Sequence, residues 1–187
     1  MPGIWDRPIK AKTLLKGFLV FLAGFFVVVV CALEGLVFFS MTPPKENKLI
    51  ADFQAHRAAY ERLREMLLAD QQIEEVSKKG IKTSGSLLLK RPSDLNFPLA
   101  RYQEYMTLLS VIGKDGIFKG EEKQATRACV IAWGAGWAGD TRHSWVCWAD
   151  REPTNQVASL DDYYKNPNRP RYASRHIDGN WYLTADW

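Results

Sequence analysis

A long apolar run, from Gly17 to Thr42, contains a single charged residue, Glu34. About 20 apolar residues are enough to cross a bilayer as a helix. A cleaved signal peptide has a shorter apolar region, of roughly 7–15 residues, and a small-x-small cleavage site, which this run lacks. A helix of a soluble core would keep a polar face, which is also missing here. We therefore expect residues 17–42 to form an uncleaved, single-pass transmembrane anchor.

The charges beside this run predict its orientation. Basic side chains are concentrated before it, at Arg7, Lys10, Lys12 and Lys16. Because cytoplasmic flanks carry the excess of Lys and Arg, residues 1–16 are expected to be a cytoplasmic tail. Residues 43–187 then form one domain, of ordinary size, on the far side of the membrane. We expect a bacterial inner-membrane protein with its C-terminal domain in the periplasm.

The composition of residues 43–187 argues against several functions. Basic and acidic side chains nearly balance, whereas nucleic-acid binding usually needs a concentrated basic face. The histidines lack metal-binding spacing, and no serine lies in a recognisable nucleophile turn. The glycines at 134, 136 and 139 match the letters of a dinucleotide fingerprint, but a strand rather than a helix is predicted to follow them. We expect no cofactor, metal, catalytic residue or nucleic-acid partner.

Two cysteines of the domain, Cys129 and Cys147, are expected to form a disulfide, because an oxidising compartment favours one. Their spacing is not that of a thioredoxin or zinc site. If a hairpin turns at Ala138, the two cysteines lie directly opposite each other, close enough to bond. The same register places Ile131 opposite Trp145, and position 133 opposite 143.

Hydrophobic periodicity predicts an α+β fold. Apolar residues at steps of three and four predict one helix over 44–70 and a second over 98–113. Alternating segments predict strands at 127–133, 143–148, 172–177 and 181–184, with a further short edge strand at 72–76. We expect the two amphipathic helices to pack on an antiparallel sheet of four or five strands. Residues 150–170 are expected to be a polar loop with one helical turn that begins after Ser159.

The positions of the tryptophans do not decide whether the second face of the sheet packs against the rest of the chain or binds a partner. By alternation, Trp133 and Trp145 share a face with the cysteines, and Trp148 lies on the other face. The helices can cover only one of these faces. The other needs a cover from the 150–170 loop or from a partner.

The candidate binding residues lie in two segments. The first is a predicted glycine-rich loop, 134–140, in which an aromatic side chain stands close to charged ones, a composition common in recognition loops. The second is the 150–170 segment, expected near the opposite end of the hairpin. Together they supply six candidates: Trp137, Asp140, Arg142, His143, Tyr163 and Tyr164. The alternative for Trp137 is that it folds back and caps the core.

The sequence favours binding over catalysis. A small anchored domain without a catalytic motif is typical of an immunity protein that neutralises a toxin in the periplasm, and equally of an accessory subunit of an envelope or secretion complex. We therefore expect a protein partner on the periplasmic side. The alternative is a module or enzyme that acts on cell-wall glycan, for which Asp140 and His143 could supply an acid–base pair.

Overall fold

The computed structural model describes residues 21, 22, 24–29, 42–122, 125–137 and 140–186, without the side chains of 121, 122, 136, 137 and 140. The chain divides into two compact units, Met1–Thr42 and Pro43–Trp187. The predicted tail, 1–16, and most of the predicted anchor, 17–42, lie outside the described residues. Within the described part of the chain, no helix has both the length and the apolar character needed to cross a bilayer. The anchor remains a prediction.

Four α-helices are described in Pro43–Trp187: α1 (Glu46–Ala55), α2 (Arg57–Ala69), α3 (Leu99–Val111) and α4 (Leu160–Lys165). The single helix predicted over 44–70 is interrupted at His56. The Nδ1 atom of His56 lies 3.0 Å from the carbonyl oxygen of Asp52, so the ring competes for an acceptor of the helix backbone. The predicted cap of α4 is confirmed, since the Asp162 amide donates to the Ser159 hydroxyl at 3.2 Å.

The described strands form one antiparallel sheet of seven, which confirms the α+β class but exceeds the four or five strands predicted. The strands are β1 (Ile73–Ser77), β2 (Gly80–Thr83), β3 (Gly116–Glu122), β4 (Ala125–Trp137), β5 (Asp140–Ala149), β6 (Tyr172–Asp178) and β7 (Trp181–Asp186), in the order β2-β1-β3-β4-β5-β7-β6.

The strand β2 was missed because Gly80 resembles part of a turn. Its φ of +140° is one that glycine tolerates, and an added Cβ would lie 2.6 Å from the carbonyl oxygen of Lys90. The turn is confined to residues 78 and 79, so pairing resumes at once between Ser77 and Gly80. The glycine permits a close approach of two backbones and does not end the strand.

The hairpin of β4 and β5 confirms two of the three predicted pairs. Cys129 pairs with Cys147 and Ile131 with Trp145, but a bulge then places Trp133 opposite Ser144. Because opposed residues share a face, the bulge moves Trp133 away from the face of the cysteines. The predicted loop over 134–140 is also wrong, since the strands continue pairing to Trp137 and Asp140.

All four helices pack on the same face of the sheet, which we call the inner face. Its central side chain is Trp181, only 2% exposed, with its ring centroid 5.1 Å from that of Phe53 and 6.0 Å from that of Tyr60. A second apolar cluster joins Leu160 and Tyr163 of α4 to β6 and β7. The opposite face, which we call the outer face, carries the cysteines.

The first turns of α1 and α4 cap each other. The Glu46 carboxylate accepts hydrogen bonds from the Leu160 amide at 2.7 Å and the Ser159 hydroxyl at 3.2 Å, and it pairs with Arg175. In return, the Glu46 amide donates to a carboxylate oxygen of Asp161 at 3.1 Å. These contacts fix the start of the domain to the β6 edge of the sheet.

We expect Glu46→Gln to lower the free energy of unfolding by roughly 1–2 kcal/mol at pH 7, because a charge-assisted contact is lost. Burial alone raises the pKa of Glu46, but Arg175, Leu160 and Ser159 together hold it below its ordinary value of 4.5. The stabilisation is therefore complete above pH 4.5 and is lost as the pH falls through the lower pKa of the folded state.

Urea titrations at neutral and strongly acidic pH measure this difference between Glu46→Gln and the parent. The difference in free energy of unfolding between the two proteins should be smaller at acidic pH. The exposed Glu65→Gln on α2 is the control and should show no such difference. If Glu46→Gln differs from the parent by the same free energy at both pH values, the ionised Glu46 carboxylate does not stabilise the fold as proposed.

Candidate outer-face site

A shallow depression of about 140 Å³ lies on the outer face above the disulfide. The Cα atoms of Cys129 and Cys147 are 4.1 Å apart, and the bond between the side chains forms its floor. Its walls come from β3, β6 and β7 as well as from β4 and β5. They include three aromatic side chains and one guanidinium: Phe118, Gly120, Arg127, Trp145, Tyr172 and Thr184. The register places these side chains together, because each shares the face of the cysteines.

The rim of this depression is apolar and open. Ile131 is 47% exposed and Tyr172 is 45% exposed, while Phe118 and Trp145 are half-buried. Large side chains of this kind are the ones that anchor binding interfaces. We call the aromatic rim the three lining side chains Phe118, Trp145 and Tyr172, together with the aliphatic Ile131, which pairs with Trp145 across the hairpin.

Part of the outer face is covered from within the chain, since Tyr182, which lies opposite Cys147, is buried. Residues 155–157 pair in parallel with Ser174, with hydrogen bonds of 2.8 and 2.9 Å to its amide and carbonyl. Burial raises the pKa of the Tyr182 hydroxyl, and the nearby Glu152 carboxylate adds to this effect. The segment after β5 thus covers the part of the face near β6 and β7. The sequence left open whether this face is covered by the 150–170 segment or by a partner. The segment covers part of the face, and the aromatic rim remains exposed.

His143 extends the open part of the face toward the end of the hairpin. Its ring stacks on Trp145, with centroids 5.4 Å apart and an angle of 22° between the planes. The Nδ1 atom lies 3.4 Å from a carboxylate oxygen of Asp186, and that oxygen also accepts the His143 amide at 2.7 Å. Gly134 lies beneath the ring, since an added Cβ would come within 3.0 Å of it. The His143 ring is therefore held by Trp145, Asp186 and Gly134.

The sheet separates the residues that the sequence grouped into one site. Tyr163 is buried on the inner face, where its hydroxyl donates to the carbonyl of Pro170 at 2.7 Å. Tyr164 is also on that face, with its hydroxyl 2.7 Å from the Ser144 hydroxyl, and burial raises its pKa to about 12. The two tyrosines therefore pack and do not share a surface with His143.

The 150–170 segment begins at the far end of the hairpin, as expected, where Asp150 bonds to Thr126. It then returns along the sheet, since the Tyr164 hydroxyl contacts Ser144, the residue next to His143. The segment passes around the β6 edge, from the outer face to the inner one. Arg142 is half-buried and alternates with His143 along β5. The side chains of Trp137 and Asp140 lie outside the described residues, so their binding role stays a prediction.

The aromatic rim was missed because its members come from distant segments. Phe118 and Tyr172 lie on strands separated in the sheet by three others, a neighbourhood that only the strand order reveals. Ile131 could have been found, since the sequence already placed it opposite Trp145. In the described part of the chain, no cluster of three His, Cys, Asp or Glu side chains is arranged to hold a metal ion.

Comparisons of the chain with protein-family models, with curated proteins and with solved structures found no match. The proposed function therefore depends on the geometry of the outer face and on the pattern of the sequence.

Proposed function

We propose that this chain is a membrane-anchored binding protein of the periplasm that holds a protein partner on its aromatic rim. The observation that carries the proposal is the exposure of Ile131 and Tyr172 beside half-buried Phe118 and Trp145. A cluster of large apolar side chains in a shallow, well-supported depression is the usual centre of a protein interface. The disulfide beneath stiffens the surface, so little conformational freedom is lost on binding.

The class of partner follows from the predicted anchor and is argued by architecture alone. An immunity protein would use the rim to cover a toxin that enters the periplasm. An accessory subunit would use it to join an envelope or secretion complex. Both require an open contact surface on a domain tethered at the membrane.

A glycan is the second candidate ligand, and the stacked pair of His143 and Trp145 is the observation that favours it. Sugar rings stack on flat aromatic surfaces, and Tyr172 lies on the same face. The two ligands differ in the area they need. A sugar would occupy the depression alone, whereas a protein would also cover Ile131.

A photo-crosslinking experiment in cells distinguishes these candidates. A photoreactive phenylalanine analogue placed at position 131 should give a discrete protein adduct. The matched control is Gln103, which is exposed on α3 and therefore lies on the helix side of the sheet. Equal adducts at 131 and 103, or none at 131, would contradict a protein-binding rim. A change in tryptophan fluorescence on adding soluble cell-wall fragments would favour the glycan.

We expect Trp145→Ala to weaken partner binding by 2 kcal/mol or more, that is, by about thirtyfold, because it removes the central ring of the rim. The loss of unfolding free energy should be smaller, about 1 kcal/mol, since Trp145 is half-buried and not central to the core. Titration of the crosslinked partner against purified protein measures the first quantity, and urea unfolding measures the second. A loss of stability above 3 kcal/mol with unchanged binding would assign Trp145 to packing.

The predicted orientation has a separate test. Alkaline phosphatase fused to the C-terminus should be active, because it folds only after export, whereas a cytoplasmic reporter fused there should be inactive. The basic residues before Gly17 motivate this expectation. The reverse pattern would place residues 43–187 in the cytoplasm and remove the oxidising compartment.

A further inference from the structure

Three consecutive leucines project from the β2 edge of the sheet. Leu87 is 94% exposed, Leu88 is 72% exposed, and Leu89 is also exposed. Scattered apolar residues are ordinary on protein surfaces, but a run of three exposed ones is an exception that usually has a function. We call residues 84–90 the leucine loop.

The leucine loop is held in place by hydrogen bonds. Lys90 and Ile81 exchange two backbone bonds, of 2.8 and 2.9 Å. The Ser86 amide donates to the Thr83 carbonyl at 3.0 Å, and its hydroxyl donates to the Leu88 carbonyl at 3.0 Å. The fold thus fixes the backbone of the loop at both ends while leaving the leucine side chains in solvent.

Basic side chains flank these leucines. Lys90 and Arg91 follow them directly, are exposed, and have no acidic partner among the residues that the structure describes. Lys82, on the neighbouring strand, pairs with Glu74 at 3.2 Å. Apolar side chains beside unpaired cations are typical of protein surfaces that lie in the headgroup region of an anionic bilayer.

We propose that the leucine loop docks on an anionic phospholipid bilayer, with Leu87 and Leu88 among the upper acyl chains and with Lys90 and Arg91 on the lipid phosphates. The proposal rests on the anchoring part of the proposed function, since a run that spans the membrane up to Thr42 holds the domain at the bilayer from Pro43 onward.

Docking at the leucine loop would give the domain a second contact with the membrane. The α1 helix begins at the β6 edge, and β2 is the opposite edge of the sheet. Six strand spacings separate these edges, or roughly 30 Å. Two contacts so far apart restrict the tilt of the domain, which would fix the direction in which the aromatic rim faces.

The test places an environment-sensitive fluorophore on Leu87→Cys in the full chain. Cys31→Ala removes the one cysteine outside the disulfide pair. The protein is reconstituted into vesicles of phosphatidylcholine with or without phosphatidylglycerol, and quenching by lipids that carry a nitroxide on the acyl chain is measured. If the chain is recovered as soluble protein, it is mixed with the same vesicles. Failure of the anchor and failure of the loop are thereby measured separately.

Quenching at position 87 that increases with phosphatidylglycerol is the expected result. The matched control is Val111→Cys, an exposed apolar position at the end of α3. Adding Leu88→Gln should reduce the ratio of docked to free loop by roughly tenfold, the usual effect of one buried leucine. Lys90→Gln with Arg91→Gln should abolish the dependence on the anionic lipid.

Several results would overturn the proposal. The proposal is wrong if position 87 is not quenched, or if positions 87 and 111 are quenched equally. It is also wrong if the quenching does not depend on phosphatidylglycerol. Protection of position 87 by a bound protein, without lipid quenching, would assign the loop to a protein partner. A melting temperature equal to that of the Cys31→Ala parent confirms that the labelled protein is folded.

Discussion

Replacing Trp181 with alanine is expected to lower the free energy of unfolding by about 3–5 kcal/mol, the range for a large buried aromatic side chain. Trp181 is packed between the sheet and α1 and α2, in contact with Phe53 and Tyr60. Its Nε1–H donates to a carboxylate oxygen of Glu61 at 2.8 Å, so the change also removes a charge-assisted hydrogen bond. A loss of this size is a large part of the free energy of unfolding of an ordinary domain.

Urea unfolding followed by circular dichroism measures this loss without using the fluorescence of the residue that is removed. Trp181→Phe keeps most of the volume but loses the donor to Glu61 and part of the ring, so it should cost less, about 1–2 kcal/mol. Val111→Ala, on the exposed surface of α3, should fall within about 0.5 kcal/mol of the parent. A cost for Trp181→Ala as small as that of Val111→Ala would mean that the inner-face core is not centred on Trp181.

Hydrophobic periodicity predicted the helices and strands of this fold better than the residues at which they begin and end. The apolar stripe through Leu49, Phe53, Tyr60 and Leu63 is buried as expected, because burial of one helix face requires that spacing. The interruption at His56 arises from a ring that bonds to its own backbone, which periodicity does not report. Gly134 was predicted to lie in a loop, but it lies within a strand, where it permits close contact with the His143 ring.

The candidate site was harder to predict than the fold. Alternation correctly placed Ile131 and Trp145 on the face of the cysteines, but one bulge moved Trp133 to the other side. Tyr163 and Tyr164 were proposed for binding because their segment is polar. They are instead inner-face residues, because the chain passes around the sheet edge before α4. A site assembled from distant strands requires the strand order, and residue spacing does not provide it.

The disulfide on the outer face is expected to contribute about 3 kcal/mol to stability, since the cysteines are 18 residues apart and a closed loop of that length restricts the unfolded chain. The double variant Cys129→Ala, Cys147→Ala should show this loss in urea. A reducing agent should destabilise the parent by a similar amount and leave the double variant unchanged. The disulfide is also the floor of the depression, so its removal should weaken binding at the aromatic rim.

Thiol labelling after unfolding tests the bond itself. Both cysteines are buried in the folded domain, so labelling of the native protein would not distinguish a disulfide from two shielded thiols. In a Cys31→Ala background, protein from the periplasm should take up no label when unfolded without a reducing agent, and two labels when a reducing agent is added. Protein retained in the cytoplasm should take up two in either case, because that compartment keeps thiols reduced. Two labels on the exported protein without reduction would refute the disulfide, and with it the stiffening that the proposed binding surface requires.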